Sequence, residues 1–122
     1  MDNEKVLEQE MAAKGLTAPR IATGGVDSKI KAEFFGRASD LFKGCPGSSA
    51  LATLTICVLE LENGFTVLGH SACASLANFD PEIGEKLARK SAREKIWPLE
   101  GYLLKQRLFD SGKSVPPSDE QE

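Results

Sequence analysis

The chain has 122 residues, 41% of them hydrophobic, and a formal net charge of −3. That suits one modest core, and the charge is far too weak to announce nucleic-acid binding by itself. No apolar run approaches the ~18 residues of a membrane span, and the N-terminus MDNEKVLEQE is acidic rather than signal-like, so a soluble, intracellular protein without a membrane role is expected. Residues 1–14 carry two Lys against four acids and residues 110–122 carry Lys113 against four acids, leaving the body between them slightly basic. Cys45, Cys57 and Cys73 lack CxxC or Cys/His metal spacing, which argues against a disulfide framework and structural zinc; no cofactor and no metal is expected.

In chain order, Asn3 to Lys14 suits a short helix with Val6, Leu7 and Met11 on one side and Gly15 as its stop. GLTAPRIATGG, residues 15–25, reads as irregular, since Pro19 restricts Ala18 and the glycine pair breaks regular structure. Asp27 is a helix N-cap candidate, and Ile30, Phe34, Ala38 and Leu41 or Phe42 recur at helical spacing, predicting a helix over about 28–42 that is weakened at Gly36. KGCPGSS, residues 43–49, is loop by composition.

The strongest local signal is a β-hairpin, about 51–62 and 65–74, joined by Asn63-Gly64. A two-residue loop would set Cys57 opposite His70, Leu59 opposite Leu68 and Leu54 opposite Cys73. Leu54, Ile56 and Val58, with Val67 and Cys73, would then face the helices. Asp80-Pro81 opens a long helix, about 81–109, with Ile83, Leu87, Ala88, Ala92, Ile96, Leu99 and Leu103 on one face. Pro98 cannot donate to the preceding turn, which predicts a kink or restart near Trp97. The expected architecture is α+β: a β-hairpin packed on a long kinked C-terminal helix with a shorter helix before it. The division is a 1–14 arm or short helix, a 15–109 domain and a disordered 110–122 acidic tail. Because one hairpin leaves two strand edges open, a homo-oligomer is expected.

The run TICVLELENGFTVLGHSACASLANFDPEIGEKLARKSAREKIWPLEGYLL resembles a small tailed-phage protein family known as the gene-49/gene-66 family, and the earlier GLTAPR resembles the N-terminal part of the same family. The NGF turn, the SAC strand end, NFD at the helix start and KIWPLEGYLL carry the likeness, over roughly residues 15–108. The family pattern commonly has an acidic residue where this chain has His70. The resemblance implies a phage or prophage accessory protein in the bacterial host cytoplasm and brings no established reaction with it.

Three groups of side chains have chemical potential. Cys57 opposite His70 suggests a thiol nucleophile if the imidazole lowers its pKa, although no third orienting group is visible. Lys86, Arg89, Lys90 and Arg93, near Trp97 and Tyr102, form a basic helix face of the kind that holds phosphate and stacks on bases, and Arg20 adds another cation. The same spacing also describes a solvated helix face with ordinary i,i+4 pairs. Trp97-Pro98-Leu99 reads as a core anchor beside the kink. The leading expectation is non-enzymatic binding of a host factor or of a phosphorylated, nucleotide-like small molecule, in a counter-defence role of the sequestering kind. Arg20, Arg89, Lys90, Arg93, Trp97 and Tyr102 would be its ligand-binding residues. A small nucleic-acid-binding regulator is the alternative, and an enzyme built on Cys57 comes third.

Overall fold

The computed structural model describes residues 3–13 and 23–112, which fall into two compact units, one made of Ser28–Ile96 and the other of residues up to Asp27 together with those from Trp97 onward. Residues 15–22 of the expected irregular stretch 15–25, and the expected 110–122 tail beyond residue 112, lie outside the described residues; Asp110, expected to begin that tail, is helical.

In the larger unit, β1 (Ile30–Arg37), β2 (Leu54–Leu61) and β3 (Thr66–Ala72) form an antiparallel sheet in the order β1-β2-β3. The α+β architecture, with a hairpin against a long C-terminal helix, is therefore present. The segment 28–42, expected to be helical, is instead strand β1 followed by one turn of helix, which we label α3 (Ala38–Leu41). The four-residue spacing of Ile30, Phe34 and Ala38 is equally compatible with an edge strand. Gly36 weakens a helix there, and ladder bonds to β2 replace what an isolated helix would gain. A bulge interrupts the β1–β2 register between Ile30 and Ala32.

The hairpin register also differs from expectation. Leu54 pairs with Ala72, Ile56 with His70, Cys57 with Gly69 and Leu59 with Val67. The connection has three residues, Glu62-Asn63-Gly64: Leu61 N–H donates to Phe65 O (2.8 Å), and Gly64 N–H donates to Leu61 O (2.9 Å). Gly64 adopts φ +90°, and the Asn63 side chain accepts from Phe65 N–H. This is the type I turn plus left-handed glycine of three-residue hairpins, not the two-residue turn. One extra loop residue moves every pairing by one and therefore changes which residues share a face.

The buried side of β2 is Thr55, Cys57, Leu59 and Leu61, whereas Leu54, Ile56, Val58 and Glu60 are partly exposed on the other side. Helix α4 (Pro81–Glu94) lies on the buried side, across β2 and β3. Asp80 caps it by accepting from Glu82 and Ile83 N–H, with Pro81 at its first position. Its buried stripe is Gly84, Ala88 and Ala92; Ala88 and Ala92 belong to the expected face, whereas Ile83 and Leu87, expected beside them, are half-exposed. The cause is a close backbone approach. A Cβ on Gly69 of β3 would sit 2.7 Å or less from Ala88 and Ala92 backbone atoms, and one on Gly84 would meet Thr55 Oγ1 at 2.6 Å. Only small residues permit the helix to lie that near the sheet.

The smaller unit holds α1 (Asn3–Ala13), the single turn α2 (Thr23–Asp27) and most of α5 (Ile96–Asp110). Thr23–Asp27 is thus helical where an irregular spacer ending in an N-cap was expected. The C-terminal helix breaks at Lys95, whose N–H donates to Ala92 O, three residues ahead of Pro98. Pro98 lies in the first turn of α5, where its missing N–H costs nothing. Among the described residues no helix is long and apolar enough to cross a membrane.

Candidate functional site

The expected thiol–imidazole pair does not form. Cys57 pairs with Gly69 on the α4 side of the sheet, while His70 pairs with Ile56 on the opposite side. Cys57 has no exposure, and burial, reinforced by the Glu33 carboxylate, pushes its thiol up from 9.0 to about 11. Arg89 opposes that shift without cancelling it. At neutral pH the side chain is a protonated, buried thiol, the reverse of an activated nucleophile.

The basic helix face is present, with three of its four charges answered by carboxylates. Arg89 Nε donates to Glu33 Oε2 of β1 at 2.7 Å, Lys90 Nζ to Glu94 Oε2 at 3.0 Å, and Lys86 lies 3.8 Å from Glu82. Arg93 also has a partner. Arg89, Lys90 and Arg93 belong to the larger unit, whereas Trp97 and Tyr102 belong to the smaller one. There Trp97 is half-buried with a partner of its own and Tyr102 is 69% exposed. Arg20 lies outside the described residues.

A different feature was missed in the sequence. Beside α4, in the larger unit, is a cleft of about 160 Å³ whose walls include Ser71, Ala72 and Cys73 at the end of β3 and Phe79, Ile83 and Leu87 at the start of the helix. Ile83 and Leu87 are 55% and 50% exposed, because the small-residue stripe beside them takes the contact with the sheet. The Arg37 guanidinium stacks 4.3 Å from the Phe79 ring centroid and holds that ring in place. Cys73 Sγ donates to Ser75 O (3.2 Å), so its hydrogen is directed back at the chain. A helix face on which Gly84, Ala88 and Ala92 alternate with Ile83 and Leu87 was a sequence signal of two separate stripes, small and large. Among the described residues no cluster of three or more His, Cys, Asp or Glu is placed to hold a metal ion.

The larger unit thus carries a cleft with mostly apolar walls and, on α4, a set of paired charges. Residues 21–108 match the Phage protein (N4 Gp49/phage Sf6 gene 66) family, and the chain belongs to that family. It is accordingly a phage accessory protein in the broad sense. No curated protein and no solved structure matches the chain.

Proposed function

We propose that the protein acts by non-enzymatic binding of a host protein, seating one apolar side chain of that partner in the cleft beside α4. Sequestration of a host factor during infection, a counter-defence role, is the form of binding this reading favours. The observation that carries it is the placement of Ile83 and Leu87, two large apolar side chains left half-exposed at the walls of a cavity sized for a single leucine, methionine or phenylalanine side chain. A phosphorylated ligand is the weaker choice, because Arg89, Lys90 and Lys86 would have to give up carboxylate partners to receive it.

The test is a photo-crosslinking amino acid placed at Leu87 in protein expressed during infection. A discrete host polypeptide should be trapped, and the adduct should vanish when Ile83→Asp is added, with the melting curve unchanged. Trapping of that polypeptide undiminished by Ile83→Asp, or adducts with nucleotides or nucleic acid alone, would overturn the reading.

A further inference from the structure

The face of the sheet opposite α4 is apolar and open. Cross-strand pairing arranges it in rows: Ala32, Glu60 and Thr66; then Phe34, Val58 and Leu68; then Gly36, Ile56 and His70. Leu41 of α3 lies over Gly36, where a Cβ would meet its Cδ2 at 2.8 Å, and extends the apolar surface. Phe34 and Leu68 remain 57% and 50% exposed, and all four outward residues of β3 are exposed. A sheet with one apolar face covered by a helix and the other bare is half of a layered structure.

We propose that a second copy of this chain covers this face, in a two-fold pairing whose axis runs along the Phe34–Val58–Leu68 row. Charge placement selects this occupant and this axis. The central row is wholly apolar, with Glu60 in the row on one side of it and His70 in the row on the other. An axis along the central row stacks that row on itself and sets the Glu60 row over the partner's Gly36–Ile56–His70 row. Glu60 then lies over the partner's Ile56, one strand spacing (~4.8 Å) from His70 of the partner subunit, twice per dimer. An axis parallel to the strands would bring the Glu60 rows together, carboxylate towards carboxylate.

The size of the face sets the strength. Three strands ~4.8 Å apart, each about seven residues long at ~3.3 Å per residue, give a footprint of roughly 330 Å². Standard stable interfaces bury about 800 Å² per partner, so the dimer is weak and concentration-dependent. The cleft opens on the α4 side, so this contact leaves the proposed partner site free.

Sedimentation equilibrium of the purified full chain, across micromolar to sub-millimolar concentrations, should show a monomer–dimer equilibrium. Leu68→Lys should raise the dissociation constant at least tenfold, about 1.4 kcal/mol. His70→Glu, a change at a fully outward position, should weaken the dimer by opposing Glu60, and the double change Glu60→Lys with His70→Glu should recover it. Circular dichroism melts establish that each variant is folded, and the His70 pair decides the matter if Leu68→Lys does not fold. A monomer at every concentration, a dimer indifferent to both substitutions, or no recovery in the double variant would overturn the proposal.

Discussion

Cys57 lies in the middle of β2, with no exposure, its thiol raised to about 11 by burial and by Glu33. A raised folded-state pKa means that the folded chain holds this proton more tightly than the unfolded chain does. The resulting stabilisation is complete below the unfolded pKa near 9.0 and is lost as pH rises towards 11. The melting temperature of the wild type should therefore fall more steeply between pH 9 and 11 than that of Cys57→Ala, each referred to its own value at neutral pH. Parallel curves would mean that the thiol ionises freely in the folded state. Position 57 also shows what one residue can conceal. Glu60 is the one charged residue of β2 and the rest are apolar or Thr, so alternation along ATLTICVLEL marks the outward set by a single side chain. The pairing with His70 rested on loop length alone, and a single additional loop residue removed it.

At the scale of elements, the hairpin, the capped start of α4 and the interruption before Pro98 were legible, because each depends on local chemistry: Asn63-Gly64, Asp80-Pro81 and a missing N–H. Strand β1 was not, since a segment such as IKAEFFGR becomes a strand through its partner rather than through its own pattern. The cleft was hidden for a related reason, as Ile83 and Leu87 look like core until Gly69 is known to bring α4 against the sheet. That contact makes a quantitative prediction. Gly69→Ala should destabilise the fold by ~3 kcal/mol or more in urea titration, since the new methyl would meet helix backbone that has no rotamer to adjust. Gly64→Ala, at φ +90° with nothing within 4 Å, should lose only the ~1–2 kcal/mol of a left-handed backbone. Equal losses would mean that α4 does not rest on Gly69.

For the whole molecule, the question is whether charge or apolar surface carries the function. Arg89–Glu33 is about one-third exposed on both sides and Lys90–Glu94 is largely exposed, so each pair adds at most ~1 kcal/mol to stability. Changing Arg89, Lys90 and Arg93 together to Gln should leave helicity and partner capture intact, because Gln keeps nearly the same helix propensity. Loss of capture in a folded triple variant would transfer the site to the basic face and restore the phosphorylated-ligand reading. Far-ultraviolet circular dichroism and the Leu87 crosslink supply the two readouts. Family membership was readable in the sequence because NGF, NFD and KIWPLEGYLL are specific in combination. The basic residues were equally readable, but their carboxylate partners were not: Glu33 and Arg89 are far apart in sequence and meet only in the folded sheet.

The two borders of the sheet are both obstructed. On β3, His70 N–H, which points away from β2, donates to Ser91 Oγ of α4 (3.2 Å). On β1, the irregularity between Ile30 and Ala32 sets exposed Lys31 beside the margin. Strand-to-strand addition, in which each newcomer offers a fresh border to the next and growth has no natural end, is hindered at both margins. A flat face behaves differently, because each copy has one and contact consumes it. Under the proposed face-to-face pairing, that geometry would limit assembly to a closed pair, where border pairing would allow a growing fibre.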